Sequence, residues 1–171
     1  MASLANIPST EKDPLKVATA IRQATEKING IDTLVTSLTG LGEYISSTVA
    51  SGSAVSLTTS TAADITTISL TAGDWDVSAV GYSNPSLGNV SDFRLGLSTT
   101  ANTLPSFSTG DGRLNIRTTG GADLGTTVMP VGPARFELSS TTTIRMVGFA
   151  VFGAGTVSMF GTLRARRVTT A

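Results

Sequence analysis

The stretch Val17-Ala-Thr-Ala-Ile21-Arg-Gln-Ala24-Thr-Glu-Lys-Ile28-Asn-Gly-Ile31-Asp-Thr-Leu-Val35-Thr-Ser-Leu38 sets the plan of the chain. With Val17 at heptad position d, the a and d seats hold Val17, Ile21, Ala24, Ile28, Ile31, Val35 and Leu38, all apolar. The residues between are mostly Thr, Arg, Gln, Glu, Lys, Asn, Asp and Ser. A 3.5-residue period winds helices around one another rather than laying one helix on a core. Ile at both seats leans toward three strands. Gly30 and the many Thr make this a weak helix in isolation, so it is expected to need partners. The next a seat falls on Gly42 and the next d seat on Ile45, which extends the expected seam by a turn. The pattern therefore predicts a helical coiled-coil stalk over residues 14–45 and a homotrimer built around it.

Upstream, Asp13-Pro14 is a helix start, with Asp as cap and Pro at the first helical position. Residues 1–13 carry Leu4, Ile7 and Pro8 without a period, and the prolines discourage a helix there. Such an arm is either a disordered terminus or a peptide that orders on a larger assembly. The second reading makes Leu4, Ile7 and Pro8 docking residues.

Downstream of Ser46 the apolar period falls to two. Val55 and Leu57 alternate, then Ile65, Ile68 and Leu70, then Trp75, Val77 and Ala79 against Asp74, Asp76 and Ser78. Phe93, Leu95 and Leu97 follow, then Leu114 and Ile116, then Phe136 and Leu138. The longest runs, Thr143 to Phe152 and Thr156 to Val168, are joined by Gly153-Ala154-Gly155, the signature of a three-residue hairpin loop. Asn84-Pro85, Gly110-Asp111-Gly112, Gly120-Gly121 and Pro130 to Pro133 give turn signals between other runs. Eight or nine short strands with no second helix predict a mainly β protein over residues 46–171, an antiparallel jelly-roll sandwich. The Thr143–Phe152 run is apolar on both faces, whereas a sandwich strand usually meets water on one. Val147, Phe149 and Val151 are therefore expected at a contact between subunits; the alternative is cover from a loop of the same chain.

Composition excludes much chemistry. Across 171 residues there is neither Cys nor His, which removes disulfides, Cys/His zinc sites, thiol nucleophiles and His general bases together. Charged residues are 14%, below the roughly 25% of an average soluble protein, and mean hydropathy is +0.20. No apolar run approaches the ~18 residues a membrane span needs, and Glu11, Lys12 and Asp13 stand where a signal peptide would be apolar. Burial between subunits accommodates an apolar, weakly charged chain. A net charge of zero favours neither nucleic acid nor an anionic membrane. Asp74 and Asp76 share a strand face but lack the further oxygens of a calcium loop, so no metal or other cofactor is expected. Arg164, Arg166 and Arg167 form a basic cluster, read as partners for carboxylates of this or a neighbouring subunit. No nucleophile–base pair or phosphate loop is present, and an enzyme is not expected. Tyr82 and Phe107, beside turn signals, are the candidate surface for a sugar ring.

Three stretches carry a family resemblance. Asp64-Ile-Thr-Thr-Ile-Ser-Leu-Thr-Ala-Gly-Asp-Trp-Asp-Val-Ser78 is similar to the opening of the tumour-necrosis-factor-like knobs of tailed bacteriophages. Arg135-Phe-Glu-Leu-Ser-Ser-Thr-Thr-Thr-Ile144 is the second, and Met159-Phe-Gly-Thr-Leu-Arg-Ala-Arg-Arg-Val168 resembles the "G-x-[IL]-x-A-R-R" ending of those knobs. The stretch from Asp13 to Gln23 also resembles phage structural proteins. The resemblance implies a homotrimeric head, neck or tail fibre on a phage virion, anchored through residues 1–13 to a capsid, neck or tail protein, knob outward, aiding host adsorption. The short chain favours a small head-borne or neck-borne appendage. The alternative is a β-sandwich carbohydrate-binding module for a host surface glycan.

Overall fold

The computed structural model describes residues 14–38, 42–86, 89–106, 110, 112–118 and 126–169. The chain divides into two units, Met1–Thr39 and Gly40–Ala171.

The first unit contains one helix, α1 (Pro14–Leu38). Within the single chain Ile21, Ile28 and Ile31 are 57%, 52% and 59% exposed, and the seam residues Val17 and Ala24 are half-exposed. The side chains of Val35 and Leu38 lie outside the described residues. Arg22 Nε meets Glu26 Oε1 at 3.4 Å one turn apart, at heptad seats away from the apolar stripe. The seats Ile21, Ile28 and Ile31 are thus left open along the stripe within the single helix.

The second unit has nine strands: β1 (Tyr44–Val49), β2 (Val55–Leu57), β3 (Ala63–Leu70), β4 (Gly73–Ser86), β5 (Val90–Ser98), β6 (Leu114–Thr118), β7 (Thr127–Leu138), β8 (Thr142–Phe152) and β9 (Thr156–Thr169). They form two antiparallel sheets. One has the order β1-β9-β4-β7, with β2 also on β9; the other has the order β3-β8-β5-β6. Most consecutive strands from β3 onward change sheets, and the result is a jelly-roll sandwich.

Alternation fills the space between the sheets. Trp75, Val77 and Ala79 from β4, Met159, Leu163 and Ala165 from β9, and Met129 and Phe136 from β7 face Ile65, Ile68 and Leu70 of β3, Phe93, Leu95 and Leu97 of β5, and Ile144, Met146 and Ala150 of β8. These residues all lie within 5% of full burial. Packing is tight enough that a Cβ on Gly148 would sit 2.6 Å from Met159 Sδ and 3.0 Å from Ile65 Cδ1.

Three sequence expectations change here. Ile45 is not a seam residue: it lies in β1 opposite Ala165 of β9 and packs on the sandwich core. Period two had already replaced the heptad at this point. Gly153-Ala154-Gly155 does not close a hairpin. β8 is hydrogen-bonded between β3 and β5, and β9 lies between β1 and β4, so both edges of each strand are taken and the loop carries the chain from one sheet to the other. Finally, Pro130 to Pro133 lies inside β7 rather than in a turn. β7 is an edge strand bonded only to β4, so a missing N–H there breaks no second ladder. Pro85 is tolerated in β4 for a similar reason, because pairing with β7 has ended at Ser83–Thr127.

Candidate functional site

The outer face of the β3-β8-β5-β6 sheet carries Arg145, Val147, Phe149 and Val151 of β8. Val147 is fully buried although it does not belong to the sandwich core. Its neighbours across the ladders are Asp64 of β3 and Gly96 of β5. Asn102 grips Asp64 twice: Asp64 N–H donates to Asn102 Oδ1 at 2.9 Å and Asn102 N–H donates to Asp64 Oδ1 at 2.8 Å. Arg145 Nη1 donates to Asp64 Oδ2 at 2.7 Å. A Cβ on Gly96 would run into Pro105 and Leu104. The segment after β5 therefore lies over this part of the sheet and covers Val147. The expected subunit contact at Val147 is corrected accordingly: the strand is apolar on both faces because a loop of its own chain closes the outer one. Phe149 and Val151 remain half-exposed, with the Arg94 guanidinium 4.9 Å from the Phe149 ring centroid and hydrogen-bonded to Asp92.

The outer face of the β1-β9-β4-β7 sheet has no such cover among the described residues. Tyr82 of β4 and Phe160 of β9 face each other across the ladder and stack, with centroids 5.1 Å apart and planes 10° from parallel. Val128 of β7 lies opposite Tyr82 and is 51% exposed. Val80 and Pro130 are the next outward pair. Tyr82, proposed from sequence as a sugar platform, thus already has one ring face against Phe160. Phe107, its companion in that expectation, lies outside the described residues, as do Leu4, Ile7 and Pro8.

The other end of the same face is charged. Arg135 of β7 donates from Nη2 to Asp74 Oδ2 at 2.8 Å and approaches Asp76 Oδ1 at 3.6 Å. The hydrogen bond to Asp74 raises the Arg135 pKa above its ordinary value. The two aspartates are thus engaged by a cation of their own chain. No cluster of metal-ligating side chains occurs among the described residues. Arg164 and Arg166 of β9 are exposed, and their side chains make no ion pair or hydrogen bond among the described residues. They line a shallow recess with Tyr44, Asp76, Ser78 and Pro133.

Arg167 departs from the cluster in which the sequence places it. Strand alternation turns it inward, where it is 8% exposed. Its guanidinium binds Glu43 Oε2 at 3.0 Å, the Ala72 carbonyl at 2.7 Å and Thr71 Oγ1. Its role is to tie the start of β1 and the β3–β4 turn to β9.

No helix among the described residues is long and apolar enough to cross a membrane. No protein-family model and no curated protein matches the chain. Among solved structures, the chain is similar to the VP2 subviral particle protein of infectious bursal disease virus, with 10% identity over 74% of this chain and 33% of that one at a TM-score of 0.45. A D431N mutant VP2 from T=1 particles of the same virus has 14% identity over 76% of this chain and 30% of its own at 0.38. Derived T=1 particles of that virus give a third likeness, with 16% identity and a TM-score of 0.27. The chain spans about a third of the length of these proteins.

Proposed function

We propose that the protein is a homotrimeric structural component of a bacteriophage virion, a small head-borne or neck-borne appendage. The observation that carries this is the contrast between the two units. The β unit closes its own core, whereas α1 leaves Ile21, Ile28 and Ile31 more than half exposed along one heptad stripe. Burying a Val, Leu or Ile side chain contributes about 1.5–3 kcal/mol, so three copies of this stripe have a strong reason to associate. The phage-like stretches Asp64–Ser78 and Met159–Val168 support the virion assignment, and they fall on β3, β4 and β9 of the sandwich.

In this account the helices fasten three chains, residues 1–13 dock on a capsid, neck or tail protein, and the β unit is carried outward. The parts are load-transmitting rather than catalytic. The test is immunogold labelling with antibodies against the β unit, applied to particles of the virus that encodes the chain. Regular gold at head or neck supports the assignment. Unlabelled particles, with the chain found only in the lysate, overturn it whatever its oligomeric state.

A further inference from the structure

We infer that Asn29-Gly30, in the middle of α1, is a self-modifying site: in chains whose helices have not associated, the Asn29 side chain loses its amide to become aspartate or isoaspartate, and the isoaspartate form no longer enters the trimer. This rests on the homotrimer proposed above and adds a chemical limit on how long a free chain stays competent to join one.

Packing does not account for Gly30. It lies inside a regular helix, and a Cβ built on it meets nothing within 4 Å. Glycine is nevertheless among the poorest helix formers. What it changes here is reactivity. Asn29-Gly30 is the only Asn-Gly step in the sequence. With no side chain on the following residue, the Gly30 nitrogen can reach the Asn29 carboxamide carbon. That nitrogen loses its proton and bonds to Cγ, the Cγ–Nδ2 bond breaks, and the amide nitrogen leaves as ammonia. Water then opens the five-membered imide at one of its two carbonyls. Opening at the former side-chain carbonyl leaves aspartate. Opening at the main-chain carbonyl leaves isoaspartate, whose backbone is one methylene longer. Water is the sole co-reactant, and nothing is oxidised or reduced.

A closed helix withholds this reaction. The helical ladder holds the Gly30 N–H on the Glu26 carbonyl. Helical side chains also lean toward the N-terminus, away from the nitrogen that follows them. On its own α1 keeps that geometry poorly. Ile21, Ile28 and Ile31 are open in the single chain, and Asn29 and Gly30 are exposed. One turn earlier, Thr25 Oγ1 donates to the Ile21 carbonyl at 3.0 Å, a bond that slightly weakens the ladder. Helix stability then comes from packing against partners. An unassociated helix opens and reacts, and an associated one is protected. The aspartate product puts a charge at a seat off the apolar stripe and keeps the heptad register. The isoaspartate product displaces Ile31 and the seats after it from the register of Ile21, Ala24 and Ile28.

The test incubates the full chain and its Ile21→Asp variant in mildly alkaline buffer, with masses from light scattering. Isoaspartate at position 29 is followed by peptide mass spectrometry and enzymatic carboxyl methylation. Ile21 is chosen because it lies about two turns from the reacting pair. Isoaspartate is expected to form about tenfold or more faster in the Ile21→Asp monomer than in the unsubstituted trimer. Asn29→Gln should abolish it at this position. Unsubstituted chain aged in urea and refolded should carry its isoaspartate in the monomer fraction. Equal rates in trimer and monomer, or no isoaspartate in the monomer, overturn the inference and leave the trimer standing. Isoaspartate spread evenly between the refolded fractions overturns the exclusion. An unsubstituted chain that is itself monomeric overturns the inference together with the trimer.

Discussion

The guanidinium of Arg167 lies over the indole of Trp75, 4.4 Å from the ring centroid, and Trp75 Nε1 in turn donates to the Thr71 carbonyl at 3.0 Å. The cation touches Glu43, Thr71 and Ala72 as well, so one side chain ties β1, the β3–β4 turn, β4 and β9 together. Replacing it removes a partner from several groups at once. Arg167→Ala is expected to destabilise the β unit by about 2–3 kcal/mol, discounted because Glu43 is 40% exposed. Arg167→Lys keeps the charge but loses the planar fork and recovers only part of the loss. Urea unfolding followed through Trp75, the sole tryptophan, reads both.

Gly161 sits at φ +147° where β9 crosses close to the backbone of Val80 and Gly81. A side chain there meets backbone rather than a yielding side chain, and its own φ is one that L residues rarely adopt. Gly161→Ala is expected to cost about 2 kcal/mol or more. Gly148→Ala, which presses on the flexible Met159 side chain, should cost less, about 1–2 kcal/mol. A reversed order in denaturant midpoints would contradict this account of the two sites.

The Asn102–Asp64 pair is what holds the covering loop over Val147. Asn102 also takes a positive φ of 49°, which asparagine tolerates better than alanine. Asn102→Ala is expected to cost about 1–2 kcal/mol and to speed amide exchange in residues 99–105 and at Val147, with little change at Trp75 on the other sheet. Uniform acceleration across both sheets would mean that the loop is not a separate covering element.

The strands were legible because burial follows a period of two: Trp75, Val77 and Ala79, and Phe93, Leu95 and Leu97, are inward as their alternation predicts. The mainly β sandwich with one preceding helix follows from the same alternation and the single heptad run. What was not legible depended on partners distant in sequence. A Gly-Ala-Gly loop between two apolar runs looks local, yet whether β8 and β9 bond to each other is decided by β3, β5, β1 and β4. Val147 is apolar on an outer face because Asn102, Leu104 and Pro105 arrive over it, and no period announces that. Arg167 is one residue out of phase with Arg164 and Arg166, so alternation alone sends it inward toward Trp75. Tyr82 was named from its neighbouring turn signals, but its stacking on Phe160 needs the register of β4 on β9.

The mass of the full chain in solution, measured by light scattering before and after Ile28→Asp, tests the helical trimer most directly. Three times 17.4 kDa for the unsubstituted chain, falling on substitution while the Trp75 signal stays native, is the expected result. A mass of 17.4 kDa for the unsubstituted chain, or a trimer unaffected by a charge at Ile28, would contradict it.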